Sequence, residues 1–171
     1  MTGNISPQEF RPEPLSRKGE VTAWVLALLV GSAWLVLFLT RNPVFAGLPI
    51  LEGFLLLAGL GISLSNWMDR HTILRLLPSG VIFDNGLRHA ELNWNQIRQV
   101  QVFPSNWGKK VRVIGENSHF DFRTLGEVKV HGNVKGRMGF AHGQMILKRI
   151  IEAADLKRVE SSDSGENFVH E

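Results

Sequence analysis

The chain reads as an α+β membrane protein: a transmembrane helical hairpin followed by a small β barrel or sandwich with a C-terminal capping helix. Three observations predict this. Two long apolar runs lie back to back near the N-terminus. Short segments of alternating polarity, punctuated by turn residues, follow them. Near residue 144 the alternation gives way to a helical period.

Residues 1–20 form a cytoplasmic N-terminal segment. Arg11, Arg17 and Lys18 balance Glu9, Glu13 and Glu20. This mixed charge, and an apolar run longer than the usual core of about 7–15 residues, argue against a cleavable signal. Between Glu20 and Arg41 there is no charged residue, and between Arg41 and Asp69 only Glu52. Roughly 20 apolar residues in a helix cross a hydrocarbon core of about 30 Å, so both runs are long enough. The predicted spans cover about 22–40 and 44–66 within a hairpin at 21–68, joined by Arg41, Asn42 and Pro43.

Arg17 and Lys18 precede the first span, Arg70 and Arg75 follow the second, and the turn holds only Arg41. The positive-inside rule puts both termini in the cytoplasm, with Trp24 and Trp67 at the cytoplasmic interface. Ala23, Ala27 and Gly31 recur every four residues on one span, and Gly59 and Ser63 on the other. Small residues let helix backbones approach, so these positions predict the packing seam of the hairpin, or else a face for another membrane protein. Glu52 falls at membrane depth. A carboxylate there is expected to be protonated, paired or turned toward protein. It would bond within the hairpin or make a polar contact to a partner helix; two spans offer no relay for a proton path.

The domain at 69–156 is read from its alternation. Strands are expected at 72–77, 81–84, across LRHAELNW, at 99–103, twice within KKVRVIGENSHFDFR, and at GEVKV. Asp84–Asn85–Gly86 is strong hairpin chemistry. The glycine-rich stretch 132–143 reads as a loop before a helix whose apolar face is Leu147, Ile150, Ile151 and Ala154. Residues 157–171 are polar and read as a disordered tail.

The segments LRLLPSGVIFDNG, ELNWNQIRQVQV and GRMGFAHGQMILKRIIEAADL resemble the bacterial PH-like domain family. The middle one is the most telling: Trp94 followed three positions on by Ile97, at the entry to a strand. The resemblance covers about 69–156. It implies a seven-stranded, partly open barrel capped by a C-terminal helix, often behind one or two N-terminal spans, with scaffolding and binding roles in a bacterial inner or thylakoid-type membrane. The hairpin PSGVIFDNG carries no basic residue in its turn, a departure from inositol-phosphate-binding PH domains. A second resemblance, of architecture alone, is to the photosystem assembly factor with two spans and a small β-rich domain.

No arrangement of residues points to an enzyme. The chain has no cysteine, and its six histidines form no HxxxH or HExxH ligand pair. No cofactor or metal is expected. Residues 69–160 carry 15 Lys/Arg against 9 Asp/Glu, and residues 161–171 are net −3. Lys109, Lys110 and Arg112 cluster after Trp107, and Lys129, Lys135 and Arg137 cluster before the helix. With Arg70 and Arg75 they are the candidate lipid- or partner-binding residues. The modest excess, without aromatics interleaved along one strand face, disfavours nucleic acid. The expected role is a non-enzymatic membrane-anchored adaptor for protein partners. The alternatives are an anionic-lipid-binding domain, or a small accessory subunit of a transport or photosynthetic complex.

Overall fold

The computed structural model describes residues 7–14, 16–43, 45–130, 133–162 and 165–170, with backbone alone at 128–130, 133, 135 and 160–162. The chain divides into two compact units. One is the helical hairpin, 16–67; the other combines 1–15 with 68–171.

The hairpin consists of α1 (Lys18–Leu39) and α2 (Gly47–His71). Both are long and apolar enough to cross a membrane. Each runs past the predicted span at its polar end, because hydropathy marks only the apolar part of a helix, while the backbone hydrogen bonds continue. α1 stops where Arg41 takes a left-handed conformation (φ 55°). The Asn42 amide then donates to the Leu37 carbonyl at 3.1 Å, which satisfies a helix-end acceptor.

The second unit is built from antiparallel sheets. β1 (Gln8–Phe10), β2 (Ile73–Leu76), β3 (Gly80–Asp84) and β4 (His89–Asn93) form one sheet in that order. A single 3-10 turn, Trp94–Gln96, leads into β5 (Ile97–Phe103). With β6 (Lys110–Gly115) and β7 (His119–Arg123), β5 forms a meander in the second sheet. The Trp94 indole N–H donates to the Pro78 carbonyl at 2.9 Å, tying this turn to the one between β2 and β3. Ile97 enters the core at the start of β5, two residues before the predicted strand 99–103.

The alternating residues of both sheets meet in one core. Leu74, Leu76, Val81, Phe83 and Leu92 come from the first sheet, and Val100, Val102, Val111, Val113, Phe120 and Phe122 from the second. Phe83 and Phe120 stack across the two with centroids 5.1 Å apart. Helix α3 (Gly143–Ala153) adds Ile146, Leu147 and Ile150, with Ala154 just beyond it, and leaves Lys148, Arg149, Glu152 and Asp155 outside. The predicted face held, with Ile146 as an added member and Ile151 at its margin.

Four expectations are corrected. The sheets do not close into a barrel: β4 is not hydrogen-bonded to β5, because the turn at 94–96 carries the chain across to the second sheet. The stretch 132–143 is not all loop. β8 (Gly126–Val130) and β9 (Asn133–Met138) pair as a hairpin, and beyond it Gly139 and Gly143 allow close approach to the backbone at Thr124. A Cβ on Gly139, at φ +91°, would meet the Thr124 carbonyl oxygen at 2.5 Å.

The polar tail is a hairpin, β10 (Lys157–Ser162) and β11 (Gly165–Val169). β11 pairs with the free edge of β5, setting Phe168 opposite Val100. An open edge supplies backbone partners that composition cannot reveal. Lastly, the N-terminal segment is part of the domain, since β1 pairs with β2. The hairpin is thus inserted, in chain order, between two neighbouring strands of one sheet.

Candidate functional site

Two surfaces carry the residues singled out by sequence, one on each unit. On the hairpin, the seam follows steps of about seven residues rather than four. Four-residue steps drift around a 3.6-residue helix, whereas alternating steps of three and four stay on one face. Glu20, Trp24, Ala27 and Gly31 of α1 therefore share that face, and Ala23 is only half-buried beside them. Ala27 is enclosed. The Trp24 ring lies over Gly59, where an added Cβ would sit 3.4 Å from it. Gly31 faces the Glu52 carboxyl, whose Oε1 would lie 3.1 Å from such a Cβ.

Trp24, Ser63, Glu20 and Asn66 form a polar network inside this seam. The Trp24 indole donates to Ser63 Oγ at 2.9 Å, and Ser63 donates in turn to Glu20 Oε1 at 2.9 Å. Asn66 Nδ2 donates to Glu20 Oε2 at 2.8 Å. Trp24 is thus a seam residue and not only an interface ring. Sequence reading missed Glu20 and Asn66. Their signal was the heptad phase they share with Trp24 and with Gly59, not their polarity. Glu52 is 9% exposed, and its Oε2 has no hydrogen-bond partner among the described residues.

On the β unit, the basic residues proposed for binding are drawn into ion pairs. Asp121 receives Arg112 through Nε at 2.9 Å and Nη2 at 3.2 Å, and Lys110 Nζ at 3.0 Å. Partial burial pushes the Asp121 carboxyl up. The hydrogen bonds and charges of Arg112 and Lys110 outweigh it and hold the group below its ordinary value. Lys109 stands 3.7 Å from Glu166, and Arg137 stands 3.4 Å from Glu127. Arg75 meets Glu9 at 2.9 Å; with Arg11 on the same carboxyl, the pair lowers the Glu9 value. Arg70 is exposed near the end of α2. The side chains of Lys129 and Lys135 lie outside the described residues. Cross-strand neighbours explain the pairing: Arg112 and Asp121 are register partners of β6 and β7, a relation that sequence spacing does not display.

Two further features stand on this unit. The outer face of the first sheet has an open depression of about 280 Å³ with His71, Arg75, Asp84 and His89 above Ile73 and Ile82. Asp84 accepts the Gly86 amide at 2.8 Å and faces His89 Nδ1 at 3.2 Å, in that order the causes of its lowered value. The loop from β5 to β6 leaves Phe103 and Trp107 in the open. Among the described residues, no group of three or more histidines or carboxylates is arranged to hold a metal ion. No family model matches the chain, nor does any curated protein or solved structure.

Proposed function

We propose that the chain is an integral membrane protein. Its hairpin anchors a PH-like domain at the cytoplasmic membrane surface, where it serves as a non-enzymatic adaptor for protein partners. The observation that carries the membrane reading is inverted burial. In the hairpin Phe45, Ile50, Phe54 and Leu57 are open on the outside while Glu52 and Asn66 are enclosed. In water that arrangement is unfavourable, at about 25 cal/mol for every Å² of apolar surface left exposed. In hydrocarbon it is the stable one, since polar groups must find partners internally.

The pairing of β1 with β2 supports the same-side placement of the two chain ends. Residues 8–10 and 73–76 share one sheet and so one side of a bilayer, which two intervening spans satisfy and one would not. The PH-like reading draws on antiparallel strands β2 to β7 packed with α3 around one core; the added strands β1, β10 and β11, the β8–β9 hairpin before α3 and the open sheets depart from a seven-stranded barrel. Exposed Phe103 and Trp107 supply the apolar anchor that protein interfaces favour. The ion pairing of Lys109, Lys110 and Arg112 offsets only part of their charge, since Asp121 is shared by Lys110 and Arg112 and Glu166 by Lys109 and Arg158; the lipid-binding alternative is weakened and keeps a net positive surface behind it.

The cysteine-free sequence makes the test direct. Single-cysteine variants Asn42→Cys and Ser105→Cys are labelled with an impermeant maleimide in sealed vesicles of known orientation. The reading expects opposite sides for the two positions; labelling from the same side defeats it. The adaptor role is tested by sizing the full chain in mild detergent. A defined partner that is lost in Trp107→Ala supports it, and a species made of this chain alone sinks it.

A further inference from the structure

Within the hairpin seam one polar group is left incomplete. Both oxygens of Glu20 accept hydrogen bonds, from Ser63 and Asn66. Glu52 has no such arrangement: it is 9% exposed and its Oε2 is enclosed without a hydrogen-bond partner among the described residues. Beside it a groove of about 240 Å³ opens on the hairpin surface, lined by Glu52, Gly31, Ser32, Leu35, Ala27 and Trp24.

We propose that this groove seats a second copy of the chain, forming a two-fold hairpin dimer in which the Glu52 carboxyl groups of the two copies meet. The proposal rests on the membrane reading above. In hydrocarbon a polar group must find its partner within protein, so a lone carboxyl favours association. A neutral carboxyl group is at once donor and acceptor. Related by a two-fold axis, two of them satisfy each other with no further chemistry, which is the self-complementarity an isologous interface requires. A helix of another protein would have to bring its own donor to the same depth.

The terminal torsion of a Glu side chain is broad. The carboxyl can therefore turn its unpaired oxygen from Gly31 toward the groove without moving the helix. Gly31 and Ser32 keep the groove floor low enough for close backbone approach. Leu28 and Leu35, exposed on α1, are the knobs that the facing copy receives.

The test uses the full chain, dye-labelled at Asn42→Cys and reconstituted in phosphatidylcholine vesicles over a range of protein-to-lipid ratios. Stoichiometry is read by single-molecule photobleaching. Insertion is read on the same samples by resistance to alkaline extraction. The inference expects dimers that dissociate on dilution, retained in Glu52→Gln. In Glu52→Leu, and in Ser32→Phe, which plugs the groove from outside and leaves Glu52 in place, dimerisation weakens by about tenfold or more. Chain removed by alkali means the membrane reading itself has failed. Chain that is inserted yet monomeric at every density overturns the dimer alone, and leaves the groove to an acyl chain or a helix of another protein. Dimers indifferent to both Glu52→Leu and Ser32→Phe overturn the groove as the interface.

Discussion

In the hairpin, Phe45 and Leu57 lie open while Asn66 and Glu52 are enclosed; in the β unit, Leu74, Phe120 and Ile150 are enclosed while Lys148, Arg149 and Glu152 lie open. One chain thus contains both patterns of burial. The β unit is organised by removal of apolar surface from water, which is non-directional and rewards volume. The hairpin shows small-residue contacts and specific hydrogen bonds along its seam, the forces that would hold two helices together in the apolar surroundings proposed for it. Substitutions of the same kind should therefore act differently in the two regions.

The largest effect is expected at the centre of the β core. Phe120→Ala removes the ring that stacks on Phe83 and should destabilise that unit by about 3–5 kcal/mol. Urea unfolding of the full chain in detergent, followed by hydrogen exchange in each region, should show the loss in the strands and not in α1 or α2. Equal loss in both would mean that the two regions do not unfold separately. The converse test is Glu20→Leu, which adds apolar surface and strands Ser63 and Asn66. It should weaken helix association by about 1–2 kcal/mol, as measured by steric trapping in bicelles. A gain in stability would show that the seam is held by apolar contact after all.

A smaller effect separates the β unit from the hairpin by pH. The folded value of Asp121 lies below its ordinary 3.8. The stability from its pairs with Arg112 and Lys110 is therefore present above about pH 4, and it is lost as pH falls through the depressed value. Asp121→Asn should cost about 1 kcal/mol near neutrality and make the acid limb of a denaturant-midpoint profile shallower. An unchanged acid limb would remove Asp121 as its source. The smallest effect is expected for Glu9→Ala, at the exposed pair with Arg75. It should raise hydrogen exchange at residues 8–10 without moving the global midpoint; a shifted midpoint would make β1 a principal support of the sheet.

Much of the architecture was legible in the residues. Long apolar runs marked α1 and α2, short apolar or alternating segments divided by turn residues marked β2 to β7, and the helical period beginning at Leu147 marked α3. The candidate site was legible only in part. Ala27, Gly31, Gly59, Ser63 and Glu52 lie along the hairpin seam, but Glu20 and Asn66 were passed over because Glu20 bounds the first apolar run and Asn66 closes the second span, where a polar residue reads as the edge of a span. The basic cluster at 109–112 looked like a binding patch until register set Asp121 beside it.

Local pattern was enough to establish which segments are helices or strands, and which face of each is apolar, because period and polarity are properties of neighbouring residues. It was not enough for the strands at 8–10, 133–138 and 157–169. Those are polar or glycine-rich, and they exist because other strands supply their hydrogen bonds: the distant edges of β2 and β5 for the two ends of the chain, and the neighbouring β8 for 133–138. The partners of charged groups were likewise out of reach: Arg112 with Asp121, Arg75 with Glu9, and Glu20 with Asn66 meet across elements. Such pairings depend on register and helix phase, which the chain acquires only when its elements pack together.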